Sequence, residues 1–218
     1  MLEEEVLSDN NLSAAFNRDL FQKSGTLVIN LMSSPGAGKT TLLEKTVAAL
    51  GNEFRIGVIE GDLATEKDAD RIRAHGAQAI QINTVGGCHL DARMVAKVLP
   101  EFDFDEIDVL FIENVGNLVC PSGYDLGQNH KVAVLSVPEG NDKIPKYPVM
   151  FRRTEMVVLN KVDLLPYLDF DINMAIEDLK GINPDSKMLQ VSARTEEGLD
   201  EWFTWIRQAY KQNREQLK

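Results

Sequence analysis

Asn30-Leu31-Met32-Ser33-Ser34-Pro35-Gly36-Ala37-Gly38-Lys39-Thr40-Thr41 is the stretch that decides the fold. Thr26 to Met32 is an apolar, β-branched run of strand length, and Leu42 to Leu50 continues as a helix, so the context is strand, glycine-rich turn, helix. In such a turn consecutive backbone N–H groups wrap the β-phosphate of a nucleotide. The glycines permit close approach, and the helix N-terminus adds positive potential. Lys39 is then placed to bridge the β- and γ-phosphates and the Thr40 hydroxyl to ligate Mg²⁺, with Pro35, Gly36, Ala37, Gly38 and Thr41 completing the cradle. The usual spacing has a glycine where Ser33 stands, and a serine is small enough for the loop to survive.

Outward from this loop, β-branched runs alternate with helical stretches: Thr26 to Met32, Arg55 to Ile59, Gln78 to Ile82, Val109 to Ile112, Lys131 to Val137, Glu155 to Leu159 and Lys187 to Val191. The pattern predicts an α/β fold, a mostly parallel sheet of about seven strands with helices on both faces. Ahead of it, residues 1–24 read as an amphipathic helix carrying Leu12, Ala15, Phe16, Leu20 and Phe21 and ending near Gly25. Residues 25–218 read as one P-loop domain. It closes with a helix that starts around Thr195, Glu196 and Glu197 and buries Leu199, Trp202, Phe203, Ile206 and Tyr210.

With 44% hydrophobic and 26% charged residues over 218 positions, the chain has the composition of a packed globular protein. Its net charge of -11 repels phosphate backbones and argues against nucleic-acid partners. The longest apolar runs, such as Val109 to Ile112 and Val132 to Val137, are far too short to span a membrane, and the acidic start has no signal-peptide pattern, so a cytoplasmic location is expected. Two cysteines, Cys88 and Cys120, are too few for a disulfide framework.

The sixth run ends in Asn160-Lys161-Val162-Asp163, at the same carboxyl edge of the sheet as the phosphate loop. This string resembles the guanine-specificity motif. That resemblance implies an Asp163 carboxylate accepting from guanine N1–H and the 2-amino group, donors that adenine lacks. A buried, unpaired carboxylate is costly, so such a site rejects adenine. Lys161 would lie along the base and Asn160 would tie the loop to its neighbours, while Ser192-Ala193 resembles the short loop whose backbone N–H meets guanine O6. GTP is the expected nucleotide.

The second run leads to Glu60-Gly61-Asp62 and the fourth to Glu113-Asn114-Val115-Gly116-Asn117. Asp62 and Glu113 are assigned to the Mg²⁺ region, directly or through water, because a hard cation takes oxygen ligands. With Lys39 they carry the chemical step. The Gly116 N–H is placed to meet the γ-phosphate. Asn117 stands where many small GTPases carry a water-orienting glutamine, so slow intrinsic hydrolysis is expected.

Cys88-His89 follows Gly86-Gly87 after the third run, and Cys120-Pro121 follows the Glu113 loop. Parallel strands end at one edge, so two thiolates and an imidazole converge beside the switch loops, a donor set suited to Ni²⁺ or Zn²⁺. His75 and His130 show no partner pattern.

Together, the phosphate-loop stretch, Gly86-Gly87-Cys88-His89-Leu90-Asp91, Glu113 to Pro121 and Asn160-Lys161-Val162-Asp163 resemble the HypB family of hydrogenase nickel-incorporation GTPases over nearly the whole chain. The resemblance implies a P-loop GTPase fold of the SIMIBI type and a homodimer when GTP is bound. It further implies a partner chaperone, delivery of nickel to the [NiFe]-hydrogenase large subunit, and a metal site at Cys88, His89 and Cys120. Three protein ligands leave a tetrahedral site one short, and a second chain could complete it; Glu139 to Lys146 follows the fifth run at the same edge, so Lys146 is a candidate dimer contact reaching toward the neighbouring nucleotide. The urease accessory GTPases differ in carrying a Cys-Pro-His metal motif. The Cys-rich and His-rich N-terminal stretches of some family members do not occur in this sequence. The competing readings are a related G-protein chaperone of urease or cobalamin type, and a nucleotide-gated interaction module without metal transfer.

Overall fold

The computed structural model describes residues 2–62, 67–84 and 86–217, the side chains of residues 2–6, 62 and 67 excepted. Seven strands, β1 (Leu27–Ser33), β2 (Ile56–Asp62), β3 (Gln78–Asn83), β4 (Val109–Glu113), β5 (His130–Ser136), β6 (Met156–Asn160) and β7 (Lys187–Gln190), form one sheet in the order β3-β2-β4-β1-β5-β6-β7. Each pairing is parallel. Parallel neighbours need crossovers, and helices supply most of them: α1 (Leu2–Ser24) precedes β1, followed in chain order by α2 (Lys39–Leu50), α3 (Lys67–Arg73), α4 (Ala92–Val98), α5 (Cys120–Gly123), α6 (Lys143–Lys146), α7 (Pro148–Arg152), α8 (Ile172–Ile182) and α9 (Leu199–Gln216).

β1 lies at the centre and is buried along its whole length, with its side chains alternating between two helical layers. Leu27, Ile29 and Leu31 pack with Leu43 and Val47 of α2 and with Trp202 and Ile206 of α9. On the opposite face Val28 joins Phe21 of α1 and Val95 of α4, and Met32 joins Phe151 of α7 and Leu179 of α8. The indole of Trp202 donates to Thr46 Oγ1 at 2.9 Å, anchoring the phosphate-loop helix to α9.

Two helices differ from expectation. In α1 the buried face runs through Asn10, Ala14, Asn17 and Phe21, whereas Leu12 and Phe16 are 71% and 63% exposed. Of the apolar residues expected to mark the packed side, Phe21 is buried and Leu20 packs against the same core, whereas Leu12 and Phe16 face outward and Asn10 and Asn17 take the buried positions, their side-chain amino groups donating to domain backbone. In α9 the helix begins only at Leu199, after Gly198 in the left-handed region, so Thr195 to Glu197 form the preceding turn, with Thr195 N–H donating to Ser192 Oγ. Among the described residues no helix is long and apolar enough to cross a membrane.

Candidate functional site

The phosphate loop joins β1 to α2. Gly36 and Gly38 have φ of 75° and 97°, the left-handed region that side chains disfavour, whereas Ser33 does not, which explains how serine replaces glycine there. The serine also has a role. Lys39 is buried and its Nζ donates to Ser33 Oγ at 2.8 Å, holding the ammonium inside the loop. Gly38 caps α2 without any side-chain bond, so the first N–H groups of this twelve-residue helix face the loop as anion donors.

On the far side of the loop, Thr40 Oγ1 donates to Glu113 Oε1 at 2.9 Å, and Lys39 Nζ stands 3.9 Å from the same oxygen. Sequence reasoning passed over Glu60, which β2 delivers next to Glu113. Burial, then the charge of Glu113, pushes the Glu60 carboxyl up to about 11, so it holds its proton beside Glu113. Glu113 is itself raised, chiefly by burial, with Lys39 acting against the shift. A carboxylic acid closing the apolar run Ile56-Gly57-Val58-Ile59 was the available signal. Mg²⁺ suits this corner: Thr40 and Glu113 offer hard oxygens, and Glu60 Oε2 and Glu113 Oε2 are buried with no hydrogen-bond partner among the described residues. When bound, the ion would supply charge neutralisation at the phosphates. Asp62 ends β2 at the same edge, and its side chain lies outside the described residues.

The Asn160 to Asp163 and Ser192-Ala193 segments, expected to read the base, are braced from several directions. Asn160 Nδ2 donates to Ala37 O at 2.9 Å, while its Oδ1 accepts from Lys161 N–H and Ala193 N–H. A Cβ on Gly38 would come within 2.5 Å of that Asn160 amide, so strand end and phosphate loop touch directly. Lys161, at φ 64°, swings its Nζ to Gly36 O at 2.6 Å. Asp163 accepts from Ser192 Oγ at 2.7 Å. Ser192 N–H donates to Glu197 O and Ala193 N–H to Asn160 Oδ1, so these two amides serve the loop's own fold, and a contact from them to guanine O6 requires a change of partner.

The two cysteines and the histidine do converge. Donor atoms of Cys88, His89 and Cys120 lie within 4.8 Å of one another, Cys88 Sγ being 3.5 Å from His89 Nδ1. The hydrogen bond with Cys120, then burial, raises the Cys88 thiol, and burial lowers His89 against the pull of Asp91. The imidazole is thus kept neutral, with a lone pair for a metal, and a metal taking the thiols must displace their protons. The His89 ring lies over Tyr124 with centroids 4.0 Å apart. Behind the cluster, Asn114 Oδ1 accepts from Leu90 N–H at 3.0 Å and from Val115 N–H, tying the Cys88-His89 loop to the loop that carries Gly116. Gly116 packs on Pro35 of the phosphate loop.

Lys146 sits at the end of α6 beside an apolar groove of about 370 Å³ lined by Leu118, Val119, Tyr147 and Val149, next to Cys120. Its side chain is exposed, with Asp142 at 4.0 Å. His130 contacts the edge of Trp205 at the far end of β5, away from the metal cluster.

Residues 27–190 match the family described as "CobW/HypB/UreG, nucleotide-binding domain". The chain is 53% identical over 205 residues to the hydrogenase maturation factor HypB of Azotobacter vinelandii, covering 94% of this chain and 68% of the relative. A crystal structure of HypB from Helicobacter pylori in complex with nickel superposes with a TM-score of 0.89 at 39% identity, covering 94% of this chain and 96% of that one. The signal recognition particle receptor FtsY of Elizabethkingia anophelis shares the fold alone, with a TM-score of 0.52 at 13% identity over 81% of this chain and 65% of that one. A nucleotide-binding SIMIBI-type P-loop domain with a Cys-His-Cys cluster, matched at this identity along nearly its whole length, belongs to the HypB family of hydrogenase maturation factors.

Proposed function

We propose that the chain is a GTP-hydrolysing metallochaperone that carries nickel for insertion into the [NiFe]-hydrogenase large subunit, acting in the cytoplasm with a partner chaperone. The observation that carries this reading is the convergence of Cys88, His89 and Cys120 on loops that flank the Glu113 and Gly116 segment. Nickel is the cargo, and the donor set of two thiols and a neutral imidazole accepts Ni²⁺ or Zn²⁺. Residues 25–218 form the P-loop domain in this reading. GTP is held by Pro35 to Thr41, Gly116, Asn160, Lys161, Asp163, Ser192 and Ala193, with Mg²⁺ at Thr40, Asp62 and Glu113.

Three ligands per chain and an exposed apolar rim at Val119 and Val149 beside Cys120 support a GTP-dependent homodimer in which the metal sites approach across a two-fold axis and Lys146 reaches the neighbouring chain. Reciprocity follows: if GTP favours the dimer and the dimer favours metal, metal must favour GTP binding to the dimer. Light scattering and nickel stoichiometry, measured with GDP and with a non-hydrolysable GTP analogue, test this. The expected result is dimer and tighter nickel with the analogue; a chain monomeric under all conditions at micromolar concentration would contradict it. GTP turnover followed by phosphate release tests the hydrolytic step.

A further inference from the structure

Helix α1 meets the domain through a face that is polar at its deepest points. Asn10 and Asn17 are 2% and 0% exposed and two helical turns apart, hence on one side of the helix. Their hydrogen bonds go to backbone groups of two distant segments, the first residue of α4 and the loop that follows α5. Asn10 Oδ1 accepts from Ala92 N–H at 2.9 Å, and Asn10 Nδ2 donates to Asp125 O at 2.9 Å. Asn17 Nδ2 donates to Ala92 O at 3.0 Å and to Leu126 O at 3.1 Å. Both polar groups of Ala92 are therefore held by α1, and each asparagine bridges the same pair of segments.

Those segments carry the metal donors. Ala92 is three residues beyond His89, and Asp125 is five beyond Cys120 and adjacent to Tyr124, whose ring lies against His89. Arg18 adds an ion pair to Asp125 at 2.6 Å, and a Cβ on Gly127 would come within 2.8 Å of Ala14 O and of Asn17 Cβ, so the helix seats directly on the loop backbone. An apolar stripe would bury this face at lower desolvation cost. Buried amides whose donors have fixed backbone partners specify register instead, even though Asn17 Oδ1 stays buried without a partner among the described residues.

We propose that α1 is a strap that sets the separation of the two ligand loops, with Asn10 and Asn17 as positioning residues for the Cys88, His89 and Cys120 site. The inference rests on the metal-binding reading of those three residues. The nucleotide loops are held by β1, α2 and β6, and are reached by neither asparagine.

The test is a nickel titration of the full chain, followed by thiolate-to-nickel charge-transfer absorption, with GDP affinity measured on the same samples. Asn10→Ala and Asn17→Ala are expected to weaken nickel binding about 10- to 100-fold, the range for groups that orient metal ligands, and to leave GDP affinity within about twofold. Nickel affinity at the parent value in both variants, or nickel and GDP affinity falling together, overturns the strap. On the unmodified chain, nickel should slow hydrogen exchange at the Ala92 amide, and unchanged exchange there also overturns it. A parent chain that takes up no nickel overturns the metal reading itself, whereas a parent that binds nickel alongside unaffected asparagine variants overturns the strap alone.

Discussion

The Asn160 to Asp163 end and the Cys88, His89 and Cys120 end of the sheet's carboxyl edge are built on opposite plans. At the Asn160 end Asn160, Lys161, Asp163 and Ser192 each have internal partners, and three chain segments are cross-tied before any ligand is considered. Toward the Cys88 end the donors face one another across two loops, and the acids between the ends keep buried oxygens without partners among the described residues. A site tied to itself selects one ligand shape. A site whose groups mainly meet each other can exchange partners, which is what a switch and a cargo carrier require.

The contrast breaks most sharply if the two ends cannot be separated by mutation. Cys88→Ala with Cys120→Ala should abolish nickel uptake and leave GTP affinity, measured without nickel, at the parent value; dialysis with metal analysis, run beside a nickel-free nucleotide titration, checks both, and retained nickel stoichiometry would sink the metal assignment. At the other end Asp163→Asn should reduce the preference for GTP over ATP by roughly 2 to 4 kcal/mol, the cost of mismatched buried polar groups, with nickel uptake intact. Competition binding with the two nucleotides measures it.

Between the ends, Glu60 supplies a pH signature. Its folded value of about 11 lies far above that of an ordinary carboxyl, so the protonated form favours the fold. This contribution is fully present below the unfolded value and is lost as pH rises toward the folded one. Glu60→Gln, neutral throughout, should escape that loss, so its Tm relative to the parent should climb from pH 5 to pH 9 in unfolding scans without nucleotide or Mg²⁺. A constant difference would show that the Glu60 carboxyl is not raised in the folded chain. The smallest effect belongs to Ser192→Ala, which removes one brace on Asp163 and should weaken GDP binding by about 1 kcal/mol. A calorimetric titration resolves that.

Much of this organisation was legible in the residues. Apolar runs such as Leu27 to Met32 and Met156 to Leu159 have no alternative in a doubly covered parallel sheet, and all seven strands lie where those runs do. Gly36, Gly38 and Lys39 announce their loop because few other uses need that combination. Glu60 and the buried face of α1 were not legible, for one shared reason. A polar residue is buried when a distant segment offers it a partner, and for Asn10 and Asn17 that partner is backbone, which leaves no complementary residue type to find. Leu12 and Phe16 then draw attention to the wrong side of the helix.

The glycine contacts constrain how descendants of this sequence can vary. A methyl at Gly61 would come within 2.8 Å of the Leu90 side chain, and a methyl at Gly116 within 2.8 Å of Pro35 Cα. Leu90 can shorten, so the first pair has a two-step path: a smaller residue at 90 makes room for alanine at 61, provided the Glu113 carbonyl, 3.1 Å from that methyl, gives by a few tenths of an ångström. Pro35 meets Gly116 through backbone, which no substitution removes, and the second pair has no such path. Across an aligned set of relatives, positions 61 and 90 should therefore covary in size, while position 116 stays glycine wherever the phosphate loop keeps its course. The joint between metal loop and strand can be renegotiated in evolution, and the joint between switch and phosphate loop cannot.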